Sequence, residues 1–94
     1  MQLPDTIVDS HHHLWDLSRP GYGWLQQGYD PGSFLLGEYR AICRDFLPQD
    51  FRQAWAGLPV RATVHVEAEC DRHLALAETA WLHELHAVTG MPSA

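Results

Sequence analysis

No lysine occurs among the 94 residues. Six arginines stand against twelve acids, giving a formal charge of -6, and the acids are scattered rather than gathered into a tail. Phosphate backbones are held by clustered cations, and this chain has no basic stripe, so nucleic acid is not an expected partner. Cysteine is scarce too. Cys43 and Cys70 form no CxxC or other metal spacing, and they read as two reduced thiols of a cytoplasmic protein. No apolar run approaches the roughly 18 residues that a membrane span needs. The opening residues, MQLPDTIVDS, lack a basic stretch followed by an apolar one. Neither a membrane helix nor a secretory leader is expected. There is no internal repeat and no low-complexity segment. A hydrophobic content of 46% is ordinary for one small globular unit.

The short β-rich run TIVD leads directly into three histidines. It predicts a strand from Ile7 to about His11, with His13 just past its end. Residues 16–36 are too rich in glycine and proline for a helix or a long strand. Tyr22, Trp24 and Tyr29 within them predict an ordered, packed loop. Residues 37–47 fit either a short helix or an extended crossing. Pro48 to Gly57 reads as a short helix with Phe51 and Trp55 on one face. Val60–Glu67, dominated by β-branched residues, is the clearest strand. From Asp71, a plausible N-cap, to Thr89 the pattern is helical. Leu74, Ala77, Trp81, Leu85 and Val88 form its apolar stripe, and Gly90 and Pro92 stop it. Strands alternating with helices predict an α/β fold with a parallel sheet.

The chemistry gathers in DSHHHLWD, residues 9–16. Strand alternation puts Asp9, His11 and His13 on one side and Ser10 and His12 on the other. Two imidazoles leaving a strand two residues apart can reach one metal ion, and zinc takes imidazole nitrogen at about 2.0–2.1 Å. A divalent ion held there lowers the pKa of water toward about 7. The bare HxH pattern is weak by itself. A solvated or structural histidine cluster has the same spelling.

IVDSHHHLWD, then YGWL, then EYR with RDFLPQDF, then VHVEAE with DR and ETAWLHEL, taken in this order, resemble the amidohydrolase-related family. The likeness is to its branch of metal-dependent TIM-barrel hydrolases that includes sugar lactonases, and it runs from about Ile7 to Ala94. The resemblance implies that residues 1–94 are the N-terminal part of a single (β/α)8 barrel domain, its first two strand–helix units. A whole barrel needs about 250 residues. The resemblance also implies hydrolysis of a lactone or related ester or amide in a small-molecule substrate. It places His11 and His13 at the end of the first strand as catalytic and metal-binding residues. The metal that the resemblance implies is a divalent ion, zinc first, although some related lactonases need none.

Glu67 falls where barrel strands present active-site groups. It is expected, with Trp24, to contact substrate; a surface carboxylate at a strand end is the plainer alternative. His65 reads as a buried, hydrogen-bonded histidine, and Trp15 as packing. Arg40 could meet a substrate carboxylate, but a surface ion pair with Glu38 or Asp45 fits it better. His73, His83 and His86 read as solvated. Two imidazoles do not complete a three-ligand zinc site, and two strands leave an open edge. Alone, the polypeptide is therefore expected to be marginally stable and inert. The competing expectation is a small binding module that folds as it stands, or a truncated product without function.

Overall fold

The computed structural model describes residues 4–28, 30, 32 and 37–94. Tyr29, expected to pack the loop, lies outside them. Two strands, β1 (Ile7–His12) and β2 (Val60–His65), pair in parallel. β2 is rich in β-branched residues and β1 opens on Ile7 and Val8, and such residues suit the pleated backbone. A parallel pair needs a long crossover. Here it carries a one-turn helix α1 (Gly23–Gln26), a 3₁₀ turn (Arg40–Ile42) and helix α2 (Pro48–Ala54). Helix α1 corrects the expectation that breakers would exclude any helix from this loop: Gly21 and Gly28 flank the turn instead of interrupting it. After β2 come a 3₁₀ turn (Arg72–Leu74) and helix α3 (Ala75–Thr89).

Helix α2 starts as its sequence predicts. Pro48 occupies the first turn, where its missing N–H costs nothing, and Asp50 Oδ2 accepts the Leu47 N–H at 2.9 Å. Helix α3 ends at Gly90, whose φ of 84° is left-handed. Asp71 precedes the 3₁₀ turn without a side-chain cap, so its expected capping role is not realised.

The face of α3 also differs from its expected stripe. Trp81 is buried, but Glu78 is buried beside it while Val88 is 85% exposed and Ala77 faces solvent. The reason is a tertiary bond. Tyr22 Oη, from the long loop, donates to Glu78 Oε2 at 2.5 Å with both residues buried. A buried carboxyl with a donor is tolerated where an unpaired one is not. Burial and the adjacent Glu78 push the Tyr22 hydroxyl pKa far above its ordinary value. Tyr22→Phe removes the donor and leaves the carboxyl buried. We expect it to cost about 1–3 kcal/mol, read as a lower urea midpoint at unchanged slope; an unchanged midpoint would contradict the clip.

The main apolar cluster joins Trp15, Tyr22, Leu25 and Ala68. It therefore lies between the long loop and the segment after β2. Gly21 sits at the closest approach: its φ is 110°, and a Cβ there would meet Leu74 Cδ1 at 3.0 Å. The chain is a slab of 44 × 30 × 17 Å with a radius of gyration of 14.6 Å, wider than the about 13 Å of a compact 100-residue domain.

Beyond α3 the chain returns to the sheet. Ser93 and Ala94 donate N–H groups to the Thr63 carbonyl at 3.0 and 3.1 Å, and His65 N–H donates to the Ala94 carbonyl at 2.7 Å. The bonds on either side of Ala94 follow the slanted pattern of a parallel ladder. They extend the sheet on the side of β2 away from β1. No helix among the described residues is long and apolar enough to cross a membrane.

Candidate functional site

The histidines leave β1 through a slip in register. Asp9 pairs with Thr63 and His12 with His65, so three steps on β1 match two on β2. An extra residue of this kind re-aims the side chains after it. Strict alternation therefore fails. His12, not His11, takes the place opposite His65 and is 5% exposed, whereas His11 is exposed and His13 half-buried.

The expected pair nevertheless meets. The rings of His11 and His13 lie 5.1 Å apart, edge to face. The Val66 peptide anchors this strand end twice. Its N–H donates to the His12 carbonyl at 2.8 Å, and its carbonyl lies 2.8 Å from His13 Nδ1. With the proton on Nδ1, His13 donates to Val66 and its Nε2 carries the lone pair. Metal-binding histidines are oriented by this kind of outer bond. The donor set thus suits two imidazole positions of a divalent-metal site. Among the described residues, no group of three His, Cys, Asp or Glu side chains could hold an ion.

Two cavities open on these rings. One, of about 350 Å³, is lined by all three histidines together with Asp9, Arg44 and Phe51. The second, of about 230 Å³, is lined by His13, Trp15, Trp24, Glu67 and Ala68. His13 and Trp15 form the wall between them, their rings stacked at 6.3 Å. Trp24 stands edge-on to Trp15 at 6.0 Å, and its indole N–H donates to the Ala68 carbonyl at 3.2 Å.

Glu67 borders the second cavity, but not by strand alternation. β2 ends at His65, since the Val66 carbonyl turns to the His13 ring instead of a neighbouring strand. Glu67 is exposed and accepts the Glu69 N–H at 2.7 Å. His65 is half-buried rather than buried, and its Nε2 makes the expected hydrogen bond, to the Leu14 carbonyl at 3.4 Å. Burial lowers its pKa below the usual histidine value. Trp15 packs as expected and also borders both cavities. Arg40 pairs with Glu38 at 2.9 Å. His83 and His86 are both exposed, as expected, and His86 also has Nδ1 2.7 Å from the Pro92 carbonyl.

His12 and Arg44 went unmarked in the sequence. His12 stacks on Phe51 at 4.5 Å, and neither ring nitrogen has a hydrogen-bond partner. Burial first, and then the nearby His65, lower its pKa to about 4. Arg44 reaches the histidine cavity because residues 44–46 are fastened to the strand exit. Trp15 and Phe46 exchange backbone bonds of 3.0 and 2.9 Å, and the Trp15 indole N–H donates to the Arg44 carbonyl at 2.6 Å. In the sequence, residues 37–47 fit either a short helix or an extended crossing, and only the second reading allows this pairing.

No protein-family model matches the chain, and no solved structure matches it. It is similar to the uncharacterized protein y4mH of Sinorhizobium fredii, being 35% identical over 87 residues. That alignment covers 93% of this chain and 29% of the relative. The chain thus spans less than a third of the length of the protein it matches.

Proposed function

We propose that residues 1–94 form the first two strand–helix units of an amidohydrolase-type (β/α)8 barrel that hydrolyses a lactone or related ester. The observation that carries this reading is the meeting of His11 and His13 where β1 ends, with His13 held by the Val66 carbonyl. Catalytic groups of barrels stand at the C-terminal ends of strands. Growth of the sheet beyond β2 through Ala94 and the greater length of the similar protein also agree with it.

His11 and His13 would hold a divalent metal, zinc first, whose chemistry is Lewis-acid polarisation of the carbonyl oxygen. His13, with Nδ1 turned to Val66, keeps Nε2 aimed away from the backbone. Trp15 and Trp24 give the substrate an apolar wall and exclude water. Glu67 orients polar groups of the substrate at the rim. In the overall reaction, water oxygen bonds to the carbonyl carbon, the ring C–O bond breaks, and the leaving oxygen takes a proton. Further acid–base groups come from strands beyond Ala94. The two free thiols, Cys43 and Cys70, agree with a cytoplasmic setting.

The test is metal analysis and hydrolysis of a panel of γ- and δ-lactones by the full-length protein, beside His11→Ala and His13→Ala. We expect bound divalent metal and turnover in the parent, with both lost in the variants. Equal turnover in all three proteins would end the hydrolase reading.

A further inference from the structure

We infer that Arg44 is the anchor for a carboxylate on the substrate, so that the histidine cavity takes anionic esters or lactones and not neutral ones. This inference rests on the hydrolytic reading of the cavity and adds a substrate class to it. Arg44 is the only arginine among the described residues lining that cavity. Its backbone is fixed relative to His13. The Trp15 indole holds the Arg44 carbonyl, the Trp15–Phe46 pair locks the next residue but one, and Asp45 Oδ1 accepts the Leu17 N–H at 2.7 Å. Only the side chain is then left to move, and the Phe46 ring lies under the guanidinium at 5.7 Å.

The guanidinium is exposed and ion-paired to Asp50, but without a direct hydrogen bond. Asp50 Oδ1 is 3.8 Å from Arg44 Nη1, beyond hydrogen-bond distance, while its Oδ2 is committed to the Leu47 N–H. Asp9 also borders the cavity, with Oδ1 accepting the His11 N–H at 3.0 Å. The cavity therefore has an acid on the strand side and a cation on the loop side. An anionic substrate is oriented by that difference, its carboxylate toward Arg44 and its reacting carbonyl toward the imidazoles. A guanidinium matches the two coplanar oxygens of a carboxylate through paired hydrogen bonds. The volume of about 350 Å³ suits a small molecule.

Glutarate binding to the full-length protein tests this, followed by tryptophan fluorescence, since Trp15 lines the cavity. We expect glutarate to saturate the parent and to bind about tenfold or more weakly to R44Q, with uncharged glutaramide binding weakly to both. With a carboxylated γ-lactone, R44Q should raise KM with little change in kcat, and the methyl ester of that lactone should not notice the substitution. Equal glutarate affinity in parent and R44Q overturns the assignment, as does glutaramide binding as tightly as glutarate. Inorganic phosphate binding more tightly than glutarate also overturns it. If R44Q does not fold, Arg44→Lys decides. It keeps the charge and loses the fork, so weakened glutarate binding supports the anchor and unchanged binding overturns it. Full lactone turnover in His11→Ala would remove the hydrolase reading and leave the glutarate result standing, so the two failures are distinguishable.

Discussion

Replacing His13 by alanine should lower kcat/KM for lactone hydrolysis on the order of 10²–10⁴-fold, the range for losing a positioned catalytic group or one electrostatic stabiliser of the transition state. The effect should fall mainly on kcat. His13 is held by the Val66 carbonyl at 2.8 Å, so its nitrogen is in place before substrate arrives, and such preorganisation acts on the transition state. His11→Ala should lose a similar factor. The double variant should lose little more than either single one, because residues that act as a unit are not additive. Full additivity, with each single loss multiplying, would mean that the two rings, 5.1 Å apart, serve separate tasks. Kinetics of the three variants in the full-length protein decide the matter.

Acid should unfold the protein earlier than its carboxylates alone require. His12 is 5% exposed and its nitrogens lack partners; burial, and then His65, lower its pKa from 6.5 to about 4. The unfolded chain takes up a proton below about pH 6.5, while the folded chain keeps the ring neutral until about pH 4. Across that window the unfolded state binds more protons, so stability is full above it and declines as the pH falls. The loss approaches 3 kcal/mol in order of magnitude. His65, also lowered, adds in the same direction. His12→Phe should flatten the decline, leaving only the part from His65. It should also leave stability at pH 7 equal or higher, since two orphaned polar atoms disappear from an apolar contact with Phe51. Urea midpoints at pH 7 and pH 4.5 measure both effects. An undiminished decline in His12→Phe would assign the acid sensitivity elsewhere.

The local features of the chain could be read from it directly. β-branched runs mark β1 and β2, Pro48 opens α2, and Gly90 closes α3, because each acts through the backbone of its own few residues. The meeting of His11 with His13 was also accessible, from the HxH spacing at a strand exit. What escaped depends on partners distant in sequence. Glu78 is buried in place of Ala77 because Tyr22, 56 residues away, supplies a donor. β2 stops early because the Val66 carbonyl is taken by His13. The register slip between Asp9 and His12 sets which histidine is buried, and it depends on the fit of the two strands together. Arg44 could not be separated from Arg40 without knowing that Trp15 and Phe46 pair.

That pairing has an effect on how the site could change over time. By joining Trp15 to Phe46 it closes the residues between them into a loop tied at its base, next to the imidazoles. Insertions far from the knot are then felt at the histidines mostly as chain-closure entropy, about 0.6 kcal/mol for each doubling of length. The loop could therefore change in length and composition while the imidazoles stay where they are.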